Sequence, residues 1–149
     1  MSKHKDPITT TNPSNGKELA SYQYMSDDTV LSTIKNAHTA FLNWRLQSLE
    51  HRGQVIKAIG KELQQHKKEL SALMTDEMGK LLTQSSREVD LCSAICDYCA
   101  DHGADVLQRE ERELSSGGKG IITYAPIGII YGIQPWNYPS YQVIRYAIA

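Results

Sequence analysis

Apolar positions divide this chain into a turn-rich start, a long helical middle and an uncharged end. Ile8-Thr9-Thr10-Thr11 has β-like character and is followed by the turn formers Asn12-Pro13-Ser14-Asn15-Gly16 and then Leu19 to Tyr24. That succession predicts a hairpin within residues 1–25. Residues 26–108 read as four helices. Ser26 caps the first, Asp27 and Asp28 suit the positive end of its dipole, and Val30, Ile34, Ala37, Phe41 and Trp44 form an apolar stripe. The second spans about Glu50 to His66 and buries Val55, Ile56, Ile59 and Leu63. The third carries Leu70, Leu73, Met74 and Met78 and stops at Gly79. The fourth is the longest, from about Thr83 to Leu107. Ser85, Val89, Cys92, Cys96, Cys99, Gly103 and Val106 alternate four- and three-residue steps along it, a seam of small residues for close packing.

Past that helix the pattern changes. A charged run, Arg109 to Glu113, leads into the turn Ser115-Ser116-Gly117-Gly118 and a predicted strand from Gly120 to Tyr124, interrupted by Ala125-Pro126. Ile127 to Ile133 is nearly continuous apolar sequence bounded by Pro135, the pattern of a strand buried on both faces of a parallel sheet. Such a strand needs parallel neighbours joined by crossovers of about a dozen residues or more. Sixteen residues follow Ile133, enough to begin one crossover helix from about Tyr138. The fold class is therefore α/β, a helical layer followed by the start of a sheet. The chain contains no internal repeat and no low-complexity tract.

Charge sharpens the division. Of 33 charged residues, 32 precede Gly120, and Arg145 alone follows. Gly120 to Ile144 is a 25-residue uncharged stretch, but Pro126, Pro135 and Pro139 break it and Gln134, Asn137 and Gln142 would need burying in hydrocarbon, so it reads as protein interior. The 149 residues, one domain's worth, carry a net charge of −1, which gives no footprint for nucleic acid or an anionic membrane. The polar N-terminus lacks the apolar core of a secretory signal, and three closely spaced cysteines are no disulfide framework, so a reducing cytoplasm is expected. The final Tyr146-Ala147-Ile148-Ala149 is apolar, so the expectation is an incomplete portion of a larger fold.

Few residues offer chemistry. Cys92, Cys96 and Cys99 with His102 suggest a metal site, but ten residues of straight helix separate Cys92 from His102 by about 15 Å, too far for one zinc ion. Core thiols are the better reading. His4, His38, His51, His66 and His102 form no HxxxH or HExxH arrangement and suit solvated helix faces. There is no GxGxxG or P-loop, and Gly117-Gly118-Lys119-Gly120 reads as a plain turn. The remaining candidate is Gly132-Ile133-Gln134-Pro135-Trp136-Asn137-Tyr138-Pro139. It falls at the carboxyl end of the predicted buried strand, where open α/β sheets bind ligands. Two prolines restrict Trp136 and Asn137; an asparagine amide can donate to a developing oxyanion, and an aromatic wall can line a cofactor groove. A proline-rich corner in which Asn137 satisfies its own backbone is the alternative.

Ile127 to Pro139 strongly resembles the strand and PWN(F/Y)P segment of the aldehyde dehydrogenase superfamily. Other features fall in family order: Asn12-Pro13 with Gly16-Lys17, Ala40-Phe41-x-x-Trp44-Arg45, Glu77-Met78-Gly79-Lys80, Glu88-Val89, and Tyr124-x-Pro126-Ile127-Gly128. Leu81 departs from the proline common after the Gly-Lys pair. The resemblance spans nearly the whole chain and the opening portion of the family's length, and Gln142 to Arg145 is most similar to the bacterial succinate-semialdehyde branch.

That resemblance implies an N-terminal helical layer plus the start of a Rossmann-like cofactor domain. Residues 109–126 match an oligomerisation arm, and 127–149 the first strand and loop of the cofactor domain. Asn137 matches the oxyanion-hole asparagine. Ile133, Gln134, Pro135 and Trp136 match the lining of the NAD or NADP cleft, with Gln134 standing where smaller or apolar residues are more usual. Arg145, with Gln142 nearby, matches the arginine that grips a semialdehyde's distal carboxylate, a role suited to a guanidinium fork. The family's nucleophilic cysteine, general-base glutamate, ribose-binding lysine and glycine-bearing helix have no counterpart in these residues. The expectation is therefore part of a homo-oligomeric enzyme for a small aldehyde, inactive and without bound cofactor alone. The rival reading is a non-catalytic helical module for interaction or self-association.

Overall fold

The structure, a computed structural model describing residues 6–148, runs β1 (Ile8–Thr11), β2 (Glu18–Tyr22), α1 (Asp27–Trp44), α2 (Leu49–Gln65), α3 (Lys67–Met78), α4 (Leu82–Val106), β3 (Glu110–Leu114), β4 (Gly118–Ile122) and α5 (Pro139–Ile148). Local signals explain the element ends. The Ser26 hydroxyl accepts from the Thr29 amide at 3.1 Å, and Ser48 does the same for His51 at the start of α2. Gly79, at φ 70°, ends α3 with its N–H on the Thr75 carbonyl. Strands β1 and β2 pair antiparallel around a turn in which Asn12 accepts from Ser14 through its side chain and from Gly16 through its backbone. The Asn12 amide also reaches Asp76 at 3.3 Å, which docks the hairpin on α3. The hairpin expected within residues 1–25 is thus present; its first five positions, like His4 and Ala149, lie outside the described residues.

The core lies between α2, α3, α4 and α5. Helices α2 and α4 run antiparallel and approach closely at two glycines. A Cβ at Gly60 would lie 3.0 Å from the Cys96 Cβ, and one at Gly53 would lie 3.1 Å from the Ala100 carbonyl. The Ser93 hydroxyl donates to the Gly60 carbonyl at 3.1 Å, and Lys67 binds both Asp90 oxygens at 2.7 Å. The small-residue seam on α4 is therefore real, but it is sealed only along its first part. Ser85, Val89, Cys92 and Cys96 are buried, whereas Val106 is exposed and the C-terminal part of α4 borders a groove of about 650 Å³ with Trp44, Arg52 and Ile56. Val55, Ile56, Ile59 and Leu63 are half-buried rather than buried, because α2 has α4 on one side and little on the other. The stripe on α1 is likewise left open.

Two strand expectations need correcting. Strand β4 ends at Ile122 rather than Tyr124, and it pairs antiparallel with Glu110–Leu114, which the sequence presents as a charged run. Charges on both faces of β3 give it no apolar alternation to read; its ladder to β4 makes it a strand. Ile127 to Ile133 forms no strand. Among the described residues nothing lies alongside to complete a ladder, and Ile127 is 87% exposed. Among the described residues no helix is long and apolar enough to cross a membrane.

Candidate functional site

The chain turns at Trp136-Asn137-Tyr138 and enters α5 at Pro139, whose fixed φ and missing N–H suit a first helical position. The turn is anchored from below by two charged side chains. Lys80 lies just past the end of α3 and Glu88 on the buried face of α4, and their ammonium and carboxylate form a hydrogen-bonded ion pair whose side chains are 5% and 0% exposed. The other Glu88 oxygen accepts the Tyr141 amide at 3.0 Å. That amide is among the first N–H groups of α5, which have no partner within their own helix, and a carboxylate suits the positive end of the dipole. The Lys80 ammonium also donates to the Asn137 carbonyl at 3.2 Å and lies 3.5 Å from the centre of the Tyr138 ring. Ser140 meets the Met74 sulfur at 3.8 Å.

The far end of α5 is fixed separately. Ile144 packs with Cys92 and Cys96, and Tyr141 and Ile148 flank them. Tyr146 donates to the Ile130 carbonyl, and its ring covers Gly132 so closely that a Cβ there would fall 2.6 Å from it. Gly132 therefore has to be glycine, or the ring has to move.

The sequence-derived site residues lie along this ribbon and helix. Asn137 is exposed, and no described residue takes its side-chain amide. Trp136 and Ile133 are 81% and 83% exposed, Pro135 is exposed and Gln134 is half-buried. Gln142 sits half-buried in α5 and shows no side-chain hydrogen bond among the described residues. Arg145 is exposed in the last turn of α5, 5.8 Å from the centre of the Tyr141 ring, where a cation also suits the negative end of the dipole. Ile133, Pro135 and Trp136 thus present one open, mostly apolar surface. Among the described residues no glycine-rich loop lies beside this surface.

Cys92 and Cys96 belong to the core, whereas the third expected core thiol, Cys99, is half-buried and borders the groove beside α4. Burial, helped by the nearby Glu88 charge, pushes the Cys92 thiol up to about 12, and burial also raises Cys96. His38, His51 and His102 lie on exposed helix faces and His66 is exposed at the junction of α2 and α3; among the described residues no group of three or more His, Cys, Asp or Glu could hold a metal ion.

Sequence reasoning assigned Lys80 and Glu88 no role. Their signal was available: Glu88 falls among Ser85, Val89 and Cys92, so a carboxylate interrupts the buried stripe of α4 and needs a partner.

Comparison with known proteins extends the picture from the turn to the whole chain. The aldehyde dehydrogenase family profile matches residues 1–149, so the chain belongs to that family. Within it, the chain is similar to succinate-semialdehyde dehydrogenases. It is 33% identical over 137 residues to the NAD(P)+ enzyme Sad of Escherichia coli K12, covering 92% of this chain and 29% of that one. It is 30% identical over 141 residues to the NADP+ enzyme of Deinococcus radiodurans, covering 95% and 29%. The fold matches the crystal structure of succinic semialdehyde dehydrogenase from Streptococcus pyogenes in complex with NADP+, at a TM-score of 0.86 and 31% identity over 92% of this chain and 30% of that one. The chain thus spans under a third of the length of these relatives, and its α/β fold is that of the family's N-terminal region.

Proposed function

We propose that this segment is the N-terminal part of a cytoplasmic NAD(P)-dependent aldehyde dehydrogenase that oxidises succinate semialdehyde to succinate. Asn137 is its oxyanion donor. The observation that carries the reading is the turn itself: an exposed asparagine amide on a backbone that is clamped from beneath. A donor held in place before reaction costs no reorganisation when negative charge develops on the aldehyde oxygen. Ile133, Gln134, Pro135 and Trp136 give one wall to the cofactor and keep water from its face. The nicotinamide, when bound, supplies the hydride acceptor. Arg145 binds the distal carboxylate of the substrate, with Gln142 one helical turn earlier.

These 149 residues alone turn over no aldehyde, because the family's nucleophilic cysteine and general-base glutamate have no counterpart among them. Residues 109–126 serve as the arm for self-association. Strands β3 and β4 pack chiefly on each other and expose Leu114, Ile121 and Ile122 beside open strand edges, a template for another chain.

In an enzyme that carries this segment, Asn137→Ala should lower kcat by about 10²–10³. Arg145→Ala should raise KM for succinate semialdehyde and leave KM for an uncharged aldehyde of similar length nearly unchanged. Equal effects on both aldehydes would remove the carboxylate role, and an unaltered kcat in Asn137→Ala would remove the oxyanion role. The 149-residue chain with NAD+ or NADP+ and the same substrate should produce no reduced nicotinamide.

A further inference from the structure

We propose that Lys80 and Glu88 are positioning residues for Asn137, an inference that rests on the oxyanion reading above. The pair joins three stretches of chain: the end of α3, the buried face of α4, and the turn into α5. Its stabilising value alone gives no reason for its presence, since well-packed apolar side chains replace a buried ion pair without loss in many proteins. What apolar residues could not do is grip polar backbone. Lys80 holds the Asn137 carbonyl and Glu88 holds the Tyr141 amide, so the pair fixes both ends of the five residues that run from the donor into the first turn of α5. Fixing the Asn137 carbonyl fixes the peptide plane next to its side chain, and the Tyr138 ring over the Lys80 ammonium closes the third side of that cation. The donor is thereby held by groups that never meet substrate, the way a site gains precision from the residues behind it.

The test uses amide hydrogen exchange and NMR on the 149-residue chain. Glu88→Ala should lower Tyr141 amide protection by about 10- to 100-fold, the loss expected for one hydrogen bond to a charged group, while the α2 and α4 amides away from the pair keep theirs. Lys80→Met should shift the Asn137 carboxamide and Tyr138 ring signals, and Lys80→Arg should restore them in part. If a single variant fails to fold, Lys80→Met combined with Glu88→Leu removes both charges and the acceptor together and carries the same readout. Unchanged Tyr141 protection and Asn137 signals would overturn the proposal. In an enzyme carrying this segment, Lys80→Met should lower kcat about tenfold or more and leave KM within about twofold. A loosened turn with undiminished kcat would leave the positioning standing and sink the oxyanion role; a lowered kcat with the turn unmoved would sink the positioning.

Discussion

The helical layer and the ribbon from Ile127 to Trp136 are both rich in apolar residues, yet one is sealed and the other open. Cys92 and Cys96 are fully buried between α2, α4 and α5, while Ile127, Ile133 and Trp136 are more than four-fifths exposed. The difference lies in the backbone. A helix satisfies its own amides and carbonyls and needs only a facing surface, which Gly53 and Gly60 supply to α4 at close range. A strand has to borrow its partners from another strand, however apolar its side chains are. Hydrophobic content therefore settles what should be buried, and backbone bonding settles whether it can be buried by the elements at hand.

Three perturbations should separate the regions. The largest effect is expected in the sealed one. Gly60→Val forces branched carbons against the Cys96 Cβ and Ser93 carbonyl and should cost about 1–3 kcal/mol, read as a lower urea midpoint for the whole helical signal. If the midpoint stays put, α2 and α4 are not held at glycine distance. A smaller and local effect is expected at the ribbon. Gly132→Ala should push the Tyr146 ring aside and lose its bond to Ile130, about 1 kcal/mol, seen as a change in the Tyr146 signals with the urea midpoint of the helices nearly unmoved. A large midpoint shift would mean that ribbon and layer unfold as one unit.

The smallest effect is a matter of reactivity and pH. At neutral pH iodoacetamide should label half-buried Cys99 well before Cys92 and Cys96, checked by peptide mass spectrometry. The folded Cys92 thiol stays neutral to about 12, whereas an unfolded one ionises near about 8.5. Its burial thus contributes stability that is complete below the unfolded value and is lost as pH climbs toward the folded one. Cys92→Ala should flatten that alkaline fall; an equally steep fall in the variant would assign it to other groups.

Sequence alone was informative wherever a few neighbouring residues decide the outcome. Ser26 at the start of α1, Gly79 at the end of α3 and Asn12 in the first turn each act on backbone within five residues, and each is where the pattern placed it. It failed where a distant partner decides. Ile127 to Ile133 has a strand's composition without a ladder, and Glu110–Leu114 has a ladder without a strand's usual alternation. The candidate site divides the same way. The Pro-Trp-Asn-Tyr-Pro run is conspicuous in one dimension, whereas the clamp beneath it joins positions 80, 88, 137 and 141; Lys80 and Glu88 stand in two of the family-like motifs, but only the charge in an apolar stripe hinted that Glu88 needs a buried partner.

Tyr146 gives the ribbon a latch. Its hydroxyl donates to the Ile130 carbonyl and its ring roofs Gly132, so another backbone can lie against that part of the ribbon only when the ring swings aside. A side chain that enters no β-ladder thus covers the backbone on which one would have to form.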